Sequence, residues 1–389
     1  MDKIPYDKTA DHSRAMAEKR LDFLKQQTQA DLSHIAQFDF DPALTQGNIE
    51  NFIGVAQVPL GLVGPLLIHG EFAQGHFYVP LATTEGTLVA SYNRGAKLAA
   101  IAGGIQTTVV EAAMQRAPLF VFENARQARQ FGQWVKDHFE TIQQVAESTS
   151  SVAKLLNIEQ YAASKMRWLR FNYHTGDAAG QNMVTKATRE ACQWILKQGV
   201  EGLSHFSLAA NFDTDKKHST INTLHTRGKR VVAELTIPKA LMQEVMHIDG
   251  QVMAYQRNLS NLGAYFCGSV NNGSHYANGL TALFMATGQD VANIAESASG
   301  LTYTEIKPNG DLYFSITIPS LIVATYGGGT GLPTQRECLS ILGCYGKDKV
   351  NKLAEIAAAL VLCGEVSLSS AIIADEWVSS HEKHGRNRP

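Results

Sequence analysis

The stretch FDTDKKHSTIN, Phe212 to Asn222, sets Asp215 directly before Lys216 and Lys217 in a run of small and β-branched residues. Such a cluster is either a solvated turn or a cation placed for chemistry, and the triplet alone leaves both readings open. Glu85, in ATTEGTL, offers a carboxylate; equally, an acid in the first turn of a helix opposes the positive end of its dipole. Asp290, in GQDVAN, is a second carboxylate at a junction where an aspartate also serves as an N-cap. In GDAAGQNM, Gly176 to Met183, small residues between a strand and a helix let backbone N–H groups approach a phosphate, or Asp177 simply caps the helix. YGGGTG, Tyr326 to Gly331, is a turn or a bare floor under a cofactor. His381 and His384 lie one helical turn apart with no third ligand, so no metal site is expected.

These groups need elements to position them. ATTEGTLVASYNRGAKLAAIAGG predicts a helix entered through Thr83 or Thr84, with Glu85 in its first turn, and ended by Gly103-Gly104. Ahead of it, NFIGVAQVPLGLVGPLLIHG is so punctuated by glycine and proline that tight turns are expected rather than a regular element. Residues 1 to about 35 are expected to form an amphipathic helical arm on Met16, Leu21 and Leu24. From Pro118 to Leu208 the order strand, helix, two strands, helix, strand is that of a small ferredoxin-like unit. STINTLHTRGKRVVAELTI suggests a hairpin turning at Arg227-Gly228-Lys229, GSHYANGLTALFMATG a helix, and Lys347 to His384 helical sequence broken near Gly364. The fold class expected is α+β: a large substrate-binding domain with a central long helix (51–117 and 209–389), an inserted ferredoxin-like cofactor domain (118–208) and an N-terminal arm (1–50).

Composition narrows the function classes. With 389 residues, 44% of them hydrophobic, the chain can bury a large core. Its 34 basic and 36 acidic side chains nearly cancel, so no strong field favours nucleic acid or an anionic membrane, and an anionic ligand must be met by local groups. Five cysteines without a C-x-x-C pair argue against a disulfide framework and for a reducing cytoplasm. The charged N-terminus carries no secretory signal, and the apolar run near the C-terminus, interrupted by Glu365, suits a buried helix better than a membrane span. Neither G-x-G-x-x-G nor a P-loop occurs, so a standard Rossmann site is not expected.

Taken in order, ENFIGVAQVPLGLVGPL, ATTEGTLVASYNRGAK, GDAAGQNM, TDKK, GQDVAN, GGGTG and SSHEKHGRN resemble the 3-hydroxy-3-methylglutaryl-CoA reductase family, in a form closer to its class I branch. The resemblance spans about Glu50 to Arg386. It implies a thioester reduced to a primary alcohol by two hydride transfers, with Glu85, Lys216, Asp290 and His381 catalytic. It also implies that Asp177, Ala179, Gly180, Gln181, Asn182, Ser150, Gly327, Gly328 and Gly329 bind a nicotinamide cofactor, NADPH with NADH left open. Arg116, Lys217, Asp215 and Asn278 are implied near the acyl-CoA, and a homodimer with the site at its interface is expected.

On that reading Lys216 would stabilise the oxyanion formed when hydride reaches the thioester carbonyl. His381 would protonate the departing thiolate, and Glu85, linked to Lys216 through Asp290, would protonate the aldehyde oxygen. The chain departs from the family pattern in three places. Ala209 stands where a serine touches the acyl end; Asn293-Ile294 replaces Gln-Asn; and Ser151 replaces a basic residue that would meet a 2′-phosphate, with Lys154 close by. Three readings follow: mevalonate formation, the same catalyst acting oxidatively or on another acyl-CoA, and a CoA-thioester binder without turnover, against which the four intact catalytic types speak.

Overall fold

Every second side chain of GKRVVAELTI is buried, the signature of a strand with one face on a core, and this segment lies at the centre of the molecule. The computed structural model describes residues 3–375. In chain order its elements begin with α1 (Arg14–Thr28), β1 (Leu60–Gly70), β2 (Gln74–Ala82), α2 (Leu88–Ile101) and β3 (Ile105–Arg116). Then follow β4 (Leu119–Phe122), α3 (Ala125–Asp137), α4 (Phe139–Glu147), β5 (Lys154–Ala163), β6 (Met166–His174), α5 (Gln181–Lys197) and β7 (Leu203–Ser207). The remainder comprises α6 (Thr220–Leu224), β8 (Gly228–Ile237), α7 (Lys239–Met246), α8 (Gly250–Phe266), α9 (Tyr276–Thr287), α10 (Ile294–Ser297), β9 (Leu301–Ile306), β10 (Leu312–Leu321), α11 (Pro333–Ile341) and α12 (Val350–Ile373).

The strands form one mixed, largely antiparallel sheet. Its larger part runs β2-β1-β3-β8-β10-β9, in which only the β1/β3 pair is parallel. The smaller part runs β7-β4-β6-β5, all antiparallel. β3 and β4 both lie along β6, so one interrupted strand passes from the first part into the second. Each part has its own apolar cluster. α2, α9 and α12 cover the larger part, while Phe120, Phe122, Phe131, Ile142, Phe171 and Val184 fill the smaller one.

α12 is apolar and long enough to cross a bilayer, but most of it is enclosed by α2, α8, α9 and the sheet. It runs unbroken through Gly364, contrary to the break expected there. A Cβ at Gly364 would come within 2.5 Å of the Tyr92 ring, and one at Gly95 within 2.0 Å of the Cys363 carbonyl oxygen, so these glycines permit close helix packing rather than a kink. Two other expectations fail. The punctuated segment before Gly70 contains the regular strand β1, paired along β2 with an irregularity between Val63 and Leu66. The expected hairpin at Arg227-Gly228-Lys229 is instead helix α6 followed by β8, with Ser219 as the α6 N-cap.

Candidate active site

Glu85 is not in a helix. α2 starts at Leu88 with Thr87 as N-cap, and Glu85 lies in the preceding loop, its N–H donated to Thr83 Oγ1 at 3.0 Å. The helix-dipole reading is thereby removed. Asn278, on α9, donates its amide to both Glu85 oxygens at 3.0 and 2.9 Å. The register that brings them together rests on Tyr92 of α2, buried against Gly279 and hydrogen-bonded through its hydroxyl to the His275 carbonyl at 2.5 Å. Glu85 and Asn278 share a cavity of about 380 Å³ with Val58, Thr83 and Met285.

Lys216 and Asp290 form an ion pair, Nζ to Oδ2, at 2.8 Å. The Asp290 hydrogen bond raises the Lys216 ammonium above its ordinary value. Both side chains are well exposed, at 42% and 44%. Asp290 also accepts the Ala292 N–H, so its capping role and its pairing with lysine coexist. Gln289 pins this turn from within: buried, it accepts the Ala324 N–H and donates to the Ala324 carbonyl, at 2.7 and 3.0 Å.

Beneath Lys216 lies a buried network that the sequence does not announce. Asn211, Thr214 and Lys216 all have left-handed backbone, which costs a non-glycine residue on the order of 1 kcal/mol each. Glu296, fully buried on α10, accepts the Lys216 N–H at 3.1 Å, Arg227 Nε at 3.3 Å and Asn293 Nδ2 at 3.1 Å. Arg227, buried to 1% exposure, donates Nη2 to Asp215 Oδ1 at 2.6 Å. Burial raises the Glu296 carboxyl above its ordinary range. Glu296 Oε2 has no hydrogen-bond partner among the described residues. The strained loop is thus held from below by a buried carboxylate and guanidinium.

The remaining implied residues are distributed around these two centres. Arg116 donates to Asp213 Oδ2 at 2.5 Å and to Thr185 Oγ1, so its guanidinium is already engaged. Lys217 donates Nζ to the Asp215 carbonyl at 2.9 Å. Gln181 donates to Asn293 Oδ1 at 3.0 Å, which ties the GDAAGQNM segment to Glu296 through the departing Asn293. Ser150 turns its Oγ onto the Val152 and Ala153 N–H groups. Lys154 pairs with Glu147 at 2.9 Å rather than reaching toward Ser151. Ala209 is exposed. His381 lies outside the described residues.

Asp177 is a cap, but not of the helix that follows it. Its carboxylate accepts the N–H groups of Asp348, Lys349 and Val350 at 2.8, 3.0 and 3.2 Å, closing the start of α12 instead. α5 begins at Gln181 behind Gly180, with no side-chain cap on its first N–H groups. That uncapped end, Ala178 to Met183, faces Gly327, Gly328 and Gly329 across a cavity of about 350 Å³ that Asp290 and Asn293 also line. A Cβ at Gly327 or Gly328 would meet nothing, whereas one at Gly329 would strike the Gly288 carbonyl at 2.7 Å. Free first-turn N–H groups beside a side-chain-free floor fit a diphosphate-bearing cofactor. Within one chain, Glu85 and Asp290 line separate cavities, and no hydrogen bond or ion pair joins Glu85 to Lys216 or Asp290 among the described residues.

A family model described as hydroxymethylglutaryl-coenzyme A reductase matches residues 16–386. The 3-hydroxy-3-methylglutaryl-coenzyme A reductase of Pyrococcus abyssi is 42% identical over 381 residues, covering 96% of this chain and 93% of that protein. The enzyme of the same name from Strongylocentrotus purpuratus is 40% identical over 350 residues, 87% of this chain and 37% of that longer protein. Among solved structures, a class II 3-hydroxy-3-methylglutaryl-CoA reductase from Streptococcus pneumoniae, bound to NADPH in open conformations, superposes with a TM-score of 0.70 at 20% identity, covering 92% of this chain and 97% of that one.

Proposed function

The chain belongs to the hydroxymethylglutaryl-coenzyme A reductase family, and from that premise we propose how its own residues carry the family's reaction. It reduces 3-hydroxy-3-methylglutaryl-CoA to mevalonate and CoA. NADPH, when bound, supplies the two hydrides. The observation that carries the mechanism is the Lys216–Asp290 pair at the edge of the glycine-floored cavity.

The glycines 327–329 and the first turn of α5, with Ala179, Gly180, Gln181 and Asn182, hold the cofactor. Asp177 sets that segment by anchoring it to α12, and Ser150 shapes the neighbouring loop. Lys216, kept cationic by Asp290, stabilises the oxyanion that develops on the thioester carbonyl. The carbonyl then re-forms as the C–S bond breaks; His381 protonates the leaving thiolate, and Glu85, oriented by Asn278, delivers a proton to the aldehyde oxygen in the second reduction. Arg116, Asp215 and Lys217 meet the acyl-CoA, and Ala209 leaves that pocket one hydroxyl short.

We read the active form as a homodimer. Glu85, Lys216 and Asp290 are exposed in the single chain, whereas oxyanion stabilisation gains its strength from a site closed to water. A second copy bringing Glu85 to the Lys216–Asp290 pair supplies both the closure and the missing link. On α8, Val252, Tyr255, Leu259, Leu262 and Phe266 form an exposed apolar stripe at coiled-coil spacing, which supports the same reading. The separate apolar cluster and the β7-β4-β6-β5 order support 118–208 as an inserted ferredoxin-like cofactor domain. The class I affinity rests on the form of the sequence motifs alone, whereas the fold is shared with a class II enzyme at 20% identity. A cytoplasmic enzyme fits the cysteine usage.

The test is the fall in nicotinamide absorbance with purified protein, 3-hydroxy-3-methylglutaryl-CoA and either NADPH or NADH. Turnover that Lys216→Ala abolishes without loss of fold is expected. Full activity in that variant would remove the mechanism.

A further inference from the structure

Asn293 uses both ends of a buried amide. Only 1% exposed, it accepts Gln181 Nε2 on its Oδ1 at 3.0 Å and donates Nδ2 to Glu296 Oε1 at 3.1 Å. An amide carries its acceptor and its donors on different atoms, so one orientation alone satisfies both neighbours. The Asn293 backbone N–H also donates to the Asp290 carbonyl at 3.0 Å, closing the turn that carries the Asp290 side chain. One residue therefore bears on both halves of the Lys216–Asp290 pair. It holds Asp290 directly, and Lys216 through the Glu296 oxygen that accepts the Lys216 N–H.

Gln181 stands at the other end of this contact. It is the first residue of the 17-residue α5, in the turn whose N–H groups lack a side-chain cap and face the glycine floor. Its amide donates a second time, to Asp215 Oδ1 at 3.4 Å. Arg227 joins that same oxygen to Glu296 Oε1, at 2.6 and 3.3 Å. The side chains of Gln181, Asn293, Glu296, Arg227 and Asp215 thus close a hydrogen-bonded ring. Lys216 is attached to it twice, by its peptide bond to Asp215 and by its own N–H on Glu296. Its left-handed backbone is unfavourable in isolation and persists because the ring holds it. In a network that shares acceptors, displacing one member disturbs the others.

We infer that Asn293 and Gln181 are positioning residues that couple the glycine-floored cavity to Lys216 and Asp290. A ligand seated against the first turn of α5 restrains Gln181, Gln181 restrains Asn293 and Asp215, and the loop carrying Lys216 is ordered before the chemistry begins. Linkage makes the effect reciprocal: ordering the Lys216 loop tightens the hold on the cavity's occupant by the same factor. Asn293 is also a position at which the chain departs from the family pattern, so the contact is made by this chain's own, shorter amide. That the occupant is NADPH rests on the reductase reading; the ring does not.

Hydrogen exchange of the Lys216 amide in the full-length protein is the readout, and it needs no turnover. On the unmodified protein NADPH, whose binding is followed separately by nicotinamide fluorescence, is expected to slow that exchange. In Asn293→Leu without cofactor the amide is expected to exchange roughly tenfold faster or more, because Glu296 loses a hydrogen bond to a charged group, and NADPH no longer slows it. Asn293→Gln keeps an amide and recovers part of both effects. In turnover, Asn293→Leu should lower kcat about tenfold or more, the scale for a misplaced reacting group, with the KM for NADPH little changed. A general loss of packing would lower the melting temperature without that split. NADPH that binds the unmodified protein without slowing the Lys216 amide overturns the coupling, as does an Asn293→Leu protein with parental exchange and kcat. No NADPH binding at all overturns the reductase reading and the coupling with it, while the cofactor-free exchange still decides whether the ring holds Lys216.

Discussion

Lys216 Nζ and Asp290 Oδ2 stand 2.8 Å apart with both side chains more than two-fifths exposed. A pair so exposed contributes little to stability, at most about 1 kcal/mol, so its value is chemical. Lys216→Ala is expected to lower kcat by about 100-fold or more, the scale for losing an oxyanion donor, with a melting temperature close to that of the parent. Asp290→Asn removes the hydrogen bond that raises the Lys216 ammonium, so the alkaline limb of kcat against pH should move to lower pH. A limb that stays in place would show that Asp290 does not set the charge on Lys216.

The buried Glu296–Arg227 pair carries the opposite expectation. Neither group touches a cavity residue's reacting atom, yet Glu296 holds the Lys216 N–H and Arg227 holds Asp215. Arg227→Met leaves Glu296 buried without its countercharge, a change that costs about 3–5 kcal/mol. Burial already raises the Glu296 carboxyl in the folded protein. The folded state therefore holds that proton to higher pH than the unfolded chain, and stability falls as pH rises from the unfolded value through the folded one. Removing Arg227 raises the folded value further, so the variant's melting temperature should drop more steeply than the parent's across mildly acidic to neutral pH. Parallel curves would mean that Glu296 does not depend on Arg227 for its charge.

The asymmetry between these two pairs also marks what was legible in the sequence. Lys216 and Asp290 lie in short motifs whose chemistry stands in their residue types. Glu296 sits in ESASG, a run of small residues with no amphipathic pattern, and Arg227 reads as a hairpin turn; their meeting is made only by the packing of α10 against β10 and the start of β8. A lone acid in a small-residue run before a strand was the available signal. In β1, Gly61, Gly64 and Pro65 masked the alternation of a true strand. At Gly364 the residue type suggested a break, whereas the Tyr92 ring in contact with it, 272 positions earlier in the chain and thus invisible to local pattern, required the missing side chain. Asp177 was legible as a cap, but its helix begins far along the sequence.

Asn278 tests whether Glu85 acts as an oriented proton donor. Its amide meets both carboxylate oxygens, and a hydrogen bond to a charged group contributes about 1.5–3 kcal/mol. Asn278→Ala is expected to lower kcat/KM about 10- to 100-fold while leaving the circular dichroism spectrum unchanged, because Asn278 is only partly buried. Glu85→Gln should cost more than Asn278→Ala, and the double variant no more than Glu85→Gln alone. Additive losses in the double variant would place Asn278 on a separate task.

The α8 stripe tests the assembly. Tyr255, Leu259 and Leu262 are 64%, 45% and 56% exposed on one face, while Met253 and Arg257 on the same helix are buried. β9 packs beside α8 as the edge strand of the larger part of the sheet and exposes Tyr303 at 57%. Leaving so many large apolar groups in water is unfavourable at roughly 25 cal/mol per Å², and in the proposed homodimer a second copy of the same face would cover them by two-fold symmetry. Leu259→Asp with Leu262→Asp places two carboxylates on the stripe without disturbing the buried side of α8. On the proposed homodimer, light scattering should report a dimer for the parent and a monomer for this variant, and turnover should fall with the dimer fraction, because Glu85 of one copy would no longer reach the Lys216–Asp290 pair of the other. Mixing Glu85→Ala and Lys216→Ala proteins should restore activity in the mixed dimer, which keeps one intact site. A fully active monomer, or no recovery on mixing, would assign all the catalytic groups to a single chain.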